Sequence, residues 1–152
     1  MSNTASSSGI MAGKKGLIMG VANDRSIAWG IAAKLAEQGA ELAFTFQGEA
    51  LQKRVEPLAA SVGSDLVIPC DVTDEASMDA TFDALKEKWG SLDFVLHAIA
   101  YSDKEELKGG YVDTSRDNFA RTMDISVYSF TDVARRAAAM MNDGGSMLTL
   151  TY

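Results

Sequence analysis

The stretch GLIMGVANDRSIAWGIAAKLAEQGA, residues 16–40, decides the fold. A short apolar run, Leu17-Ile18-Met19, leads into a polar loop, and the loop into a segment with Ile27, Ile31 and Leu35 at i, i+4 and i+8. Gly39 follows where a helix C-terminal glycine belongs. A buried strand, a loop and an amphipathic helix in that order bring the free N–H groups and positive dipole end of the helix to the strand's carboxyl end, which suits a phosphate. Yet there is no G-x-G-x-x-G. Ser26 and Ala28 stand where two glycines are expected. Gly20 permits the sharp turn, and Ala28 is small enough to keep helix and strand close. Ser26 either donates its hydroxyl to a phosphate oxygen or only caps the helix, and the loop alone leaves both open. Its candidate ligand contacts are Gly20, Ala22, Ser26 and Ile27.

The same alternation of periods continues along the chain. Apolar runs at residues 41–46, 65–69, 92–100 and 146–151 read as further strands. Between them lie helical patterns at residues 49–60, at 73–89 with Met78, Phe82 and Leu85 as the apolar stripe, and at 115–141. The last opens with Thr114 as N-cap and Asp117 three residues on. Strands that are apolar throughout fit a parallel sheet covered on both faces, and repeated right-handed crossovers make it an α/β, doubly wound parallel sheet.

Composition limits what such a domain does. The 152 residues, 47% hydrophobic, are enough for one globular core, and a net charge of −7 argues against a general nucleic-acid or anionic-membrane binder. One cysteine, Cys70, and one histidine, His97, provide no intramolecular disulfide and no metal cluster. No run approaches the roughly 20 apolar residues of a membrane span, and the cytoplasm is the expected compartment. The Ser-rich segment 1–13 reads as a disordered leader ahead of a single domain at 14–152.

A doubly wound sheet binds ligands at the carboxyl ends of its strands. At the second strand end Gln47 can hydrogen-bond a ribose but offers no positive charge to a 2′-phosphate; it reads equally as a solvated turn residue. At the third, Asp71 and Val72 fall where an adenine would lie, the carboxylate accepting from its amine; Asp71 equally fits a cap for the helix at residue 73. The fourth strand ends in His97-Ala98-Ile99-Ala100, whose small residues allow a ribose close to the backbone. His97 reads as a structural residue, since no carboxylate or nucleophile stands at a recognisable spacing from it.

These strand ends together resemble the enoyl-acyl-carrier-protein reductases of bacterial type II fatty acid synthesis, a divergent branch of the short-chain dehydrogenase/reductases. GVANDRSIAWGIA resembles that branch's extended glycine loop, FTFQGE its ribose contact, CDVTDE its adenine contact and LDFVLHAIAYSDKEEL its fourth strand; DISVYSF and LTLTY complete the match over residues 14–152. Ordinary members of the superfamily carry T-G-x-x-x-G-x-G, N-N-A-G and a serine after the fifth strand, and all three are replaced here.

The resemblance implies a Rossmann fold, covered through its fifth strand, that binds NADH and transfers hydride to the β-carbon of a trans-2-enoyl thioester on acyl carrier protein. It implies Gly20, Ala22, Ser26, Ile27, Gln47, Asp71, Val72, Ala98, Ile99 and Ala100 as cofactor contacts, Ser102 as a substrate contact and Tyr152 as the first of two site tyrosines. Such a tyrosine points a donor at the thioester oxygen where charge develops. The family's second tyrosine, in a Tyr-x6-Lys pair, has no counterpart. Tyr101 and Lys108 have that spacing, but they stand in a polar loop before the helix that should precede the pair. The expectation is the N-terminal half of a longer domain, inactive alone. The long helix with VARRAAAMM, residues 133–141, is expected to pair between subunits of a homotetramer. An ordinary ketone or alcohol dehydrogenase and a non-catalytic nucleotide-binding module are the alternatives.

Overall fold

The computed structural model describes residues 9–151. Five parallel strands, β1 (Lys15–Met19), β2 (Glu41–Phe46), β3 (Leu66–Pro69), β4 (Leu92–His97) and β5 (Met141–Thr149), form one sheet in the order β3-β2-β1-β4-β5. The direction of winding reverses between β1 and β4, so a crevice opens at their carboxyl ends. The helices are α1 (Ile27–Glu37), α2 (Glu49–Ser61), α3 (Glu75–Trp89), α4 (Arg116–Met123) and α5 (Ser129–Ala138).

The central strands are apolar throughout because both faces are covered. Along β1, Leu17 and Met19 face a layer with Met78, Phe82 and Leu85 of α3 and Val133 and Ala137 of α5. Ile18, between them, faces the other layer, with Ala28 and Ala32 of α1 and Val55 and Ala59 of α2. All these side chains are buried. At about 1.5–3 kcal/mol per buried large apolar side chain, these two layers supply the main stabilisation of the sheet.

Several details depart from the sequence reading. Ile27 is 70% exposed, because α1 lays Ala28 and Ala32 on the sheet and its first residue overhangs the strand end. The expected helix at 73–89 begins at Glu75: Asp74 is the N-cap, accepting from Ala76 and Ser77 N–H. The expected helix at 115–141 is α4 and α5 joined by a π-helical turn, Asp124–Tyr128, and it ends at Ala138. Ser115, not Thr114, caps α4, since the Thr114 hydroxyl is donated to the Tyr111 carbonyl. The reciprocal partner of Ser115 is Glu106, which takes its N–H and its hydroxyl, rather than Asp117.

β5 starts at Met141, five residues earlier than expected, and runs beside β4 with a register shift between Leu92 and Phe94. In VARRAAAMM, Val133 and Ala137 turn onto the chain's own sheet. Gly9 to Gly13, within the segment expected as a leader, form turns, and Met11 packs on the core while its N–H donates to the Gln38 carbonyl. No helix among the described residues is long and apolar enough to cross a membrane.

Candidate functional site

At the carboxyl ends of β1 to β4 lies a cavity of about 380 Å³. That volume falls within the span of small-molecule sites. Its floor is set by Gly20. With φ at +101°, Gly20 lies so close to β4 that a Cβ there would overlap the Ala98 carbonyl, while Ala98 N–H extends the ladder to the Met19 carbonyl at 2.9 Å. The first loop therefore runs directly against the fourth strand's exit.

Ser26 is the N-cap of α1: its Oγ accepts from Trp29 N–H at 3.4 Å and donates to the Asn23 carbonyl at 2.7 Å. The hydroxyl that the sequence offered to a phosphate is thus spent within the loop, and Ser26 and Ile27 lie outside the cavity lining. What α1 presents is its dipole end, with no acidic residue in its first turn, whereas α2, α3 and α4 each carry one.

The second and third strand ends meet side chain to side chain. Gln47 Nε2 donates to Asp71 Oδ2 at 3.0 Å; Asp71 Oδ1 accepts from the Thr73 hydroxyl at 2.7 Å and from Thr73 N–H at 2.9 Å. Asp71 therefore caps no helix. These donors, the Thr73 hydroxyl foremost, then Thr73 N–H and Gln47, hold its carboxyl below the usual carboxylate range, with a contribution from the nearby Arg121 charge. Val72, Ala98, Ile99 and Ala100 complete this part of the wall. Burial pushes the Cys70 thiol up, so it meets the cavity as a neutral group.

His97 sits beneath the wall, fully buried. Its Nε2 is 2.7 Å from Ser129 Oγ and its Nδ1 2.9 Å from Thr149 Oγ1. Ser129 already donates its hydroxyl to the Ile125 carbonyl at 2.6 Å, so Nε2 carries the proton and Nδ1 accepts from Thr149. Burial lowers the imidazole pKa, consistent with this neutral tautomer. The ring ties β4 to β5 and to Ser129, the first residue of α5.

Of the expected ligand residues, eight line the cavity: Gly20, Ala22, Gln47, Asp71, Val72, Ala98, Ile99 and Ala100. Ser102 does not; its Oγ accepts from Asn118 Nδ2 and the Thr122 hydroxyl, each at 3.2 Å. Tyr152 lies outside the described residues. Tyr101, Arg121 and Ile125 line the cavity and were not among the expected contacts. Lys108, seven residues after Tyr101, is paired with Glu105 at 2.7 Å. Among the described residues no His/Cys/Asp/Glu group could hold a metal ion.

The family model described as Enoyl-(Acyl carrier protein) reductase matches residues 20–152. A curated enoyl-acyl-carrier-protein reductase (NADH) 1 of Rhizobium meliloti is 70% identical over 148 residues, 97% of this chain and 54% of its own length. The crystal structure of FabI from Candidatus Liberibacter asiaticus superposes with a TM-score of 0.92 at 60% identity, over 95% of this chain and 56% of that one. An Anaplasma phagocytophilum enoyl-(acyl-carrier-protein) reductase solved in complex with NAD gives 0.91 at 58% identity, over 95% and 55%. The chain spans about half the length of the relatives it matches.

Proposed function

The chain belongs to the enoyl-(acyl carrier protein) reductase family, and from that membership we propose that it forms the nucleotide-binding part of an NADH-dependent reductase of trans-2-enoyl thioesters borne on acyl carrier protein. This is the saturating step of bacterial type II fatty acid synthesis. The observation that carries the reading is the cavity itself, in which four strand ends and a carboxylate held ionised converge, with the loop that leads into the uncompensated N-terminus of α1 in its wall. Bound NADH supplies a hydride to the β-carbon of the enoyl thioester. The chain's residues do the rest. The first N–H groups of α1, Ile27 among them, hold the pyrophosphate. Asp71 accepts from the adenine amine, Val72 and Ile99 exclude water, and the small Ala98 and Ala100 admit the ribose to the backbone. Ser102 borders the substrate, and Tyr152 donates its hydroxyl to the thioester oxygen. The reaction belongs to the cytoplasm.

Fluorescence titration with NADH tests the reading, and a paired titration with NADPH sharpens it. Gln47 spends one of its two amide N–H groups on Asp71 and keeps Oε1 as an acceptor for the ribose hydroxyls. An acceptor beside a carboxylate welcomes a hydroxyl donor and repels a 2′-phosphate. NADH should therefore bind at least about tenfold tighter than NADPH, about 1.4 kcal/mol. Gln47→Arg should narrow the gap. Equal affinities would refute this assignment of Gln47, and no NADH binding at all would refute the function.

We also propose a homotetramer, on an apolar face different from the one expected. Phe119, Met123, Val127 and Tyr128, on α4 and the π-turn, are each 43–54% exposed and recur at helical spacing. Such a contiguous face marks a protein contact. Light scattering of the full-length protein at micromolar concentration should give four times its subunit mass, and a monomer would overturn it.

A further inference from the structure

We propose that Arg121 recognises the base of the bound nucleotide, its guanidinium lying over Tyr101 on one side and receiving the adenine ring on the other. This rests on reading the cavity as a dinucleotide site, and it adds a specificity residue on a helix that contributes none of the strand-end contacts.

Three observations carry it. First, the Arg121 guanidinium lies 4.8 Å from the Tyr101 ring centroid, and both residues line the cavity with Asp71, Val72 and Ile99. Second, Tyr101 is fixed rather than free: its N–H donates to Ser126 Oγ at 3.0 Å, and the Ser126 hydroxyl donates to its carbonyl at 3.1 Å. The π-turn that breaks the helix thereby places Ser126 under Tyr101 and Ile125 in the cavity wall. Such turns recur at functional sites.

Third, Arg121 is exposed, and among the described residues no carboxylate pairs with it. Arg136 shows the contrast. Its side chain is 8% exposed and held by Asp132, Asp79 and Glu75, the surroundings of an arginine that serves the fold. Arg121 has an aromatic platform and an open cavity instead. A guanidinium is planar and weakly hydrated, so it can stack between two π systems; an ammonium cannot. Asp71 reads the purine edge while Arg121 covers its face, and the Arg121 charge adds to the forces that keep Asp71 ionised.

The test uses the purified protein, NADH followed by fluorescence and AMP by calorimetry. Arg121→Ala should weaken both ligands by about tenfold, the scale of one base stacked on a side chain. The melting temperature without ligand should not change, because the side chain is exposed. Arg121→Lys should lose nearly as much, since it keeps the charge and loses the plane. Unchanged affinity in Arg121→Ala would overturn the proposal, as would full rescue by lysine or a loss confined to NADH with AMP unaffected. If the unmodified protein binds neither NADH nor AMP, the dinucleotide reading itself is wrong.

Discussion

A polypeptide of residues 1–152 is expected to bind NADH and to leave a crotonyl thioester unreduced. The cavity draws all its lining from residues 20–125, so adenosine and pyrophosphate binding has what it needs within this chain. Turnover requires more. The family resemblance calls for a second tyrosine and a lysine seven residues after it, and the sole pair at that spacing, Tyr101 and Lys108, is committed elsewhere: Tyr101 to Arg121 and Ser126, Lys108 to Glu105. Loss of one positioned donor costs about 10²–10³ in rate, so two lost together should put NADH oxidation below detection. The comparison is with a chain extended beyond residue 152 to include that pair. Activity in the shorter polypeptide would show that Tyr152 and the cavity residues suffice. Inactivity in both would favour the nucleotide-binding module.

The second large effect is expected from the smallest substitution, Gly20→Ala. A methyl group at that position meets the Ala98 carbonyl, a backbone group that cannot turn aside, and the φ of +101° is unfavourable to any side chain. The left-handed conformation alone costs about 1–2 kcal/mol, and with the overlap the total should reach at least about 3 kcal/mol. Urea denaturation would show it as a lower midpoint, and NADH titration as lost binding, since relief requires the first loop to move off β4. Gly30→Ala is the internal control. Gly30 lies in α1 with φ outside the left-handed region and open space around its Cα, so alanine there should stabilise by about 0.5–1 kcal/mol. Equal midpoints for Gly20→Ala and the unmodified protein would disprove the close-approach argument.

The sheet was legible because each strand is a local event: a few apolar residues closed by glycine or a polar side chain, repeated with helices between. The strand-end lining of the cavity was legible for the same reason. Gln47, Asp71 and Ile99 occupy positions that the topology alone brings together. Arg121 and Ile125 were not, since they enter the cavity from α4 and the π-turn, and a π-turn leaves no mark in a hydrophobic pattern. The Ile27, Ile31, Leu35 stripe misled at its first member because periodicity assigns a face but not how far the sheet extends beneath it. At Ser26 the two readings differed only in where one hydroxyl points, which packing decides and spacing does not.

The strand order has a kinetic consequence. β1 joins β2 at Lys15↔Glu41, 41 − 15 = 26 residues apart, but reaches β4 across a separation of 78, as in the bond from Lys15 N–H to Asp93. Threefold more chain raises the entropic cost of loop closure by about 1 kcal/mol, so β3-β2-β1 is the cheaper half to assemble and β4, through which β5 is attached, joins it afterwards. The crevice between β1 and β4 does not exist before that docking. Nucleotide finds nothing to hold on a half-made sheet, and its binding energy opposes unfolding without hastening folding.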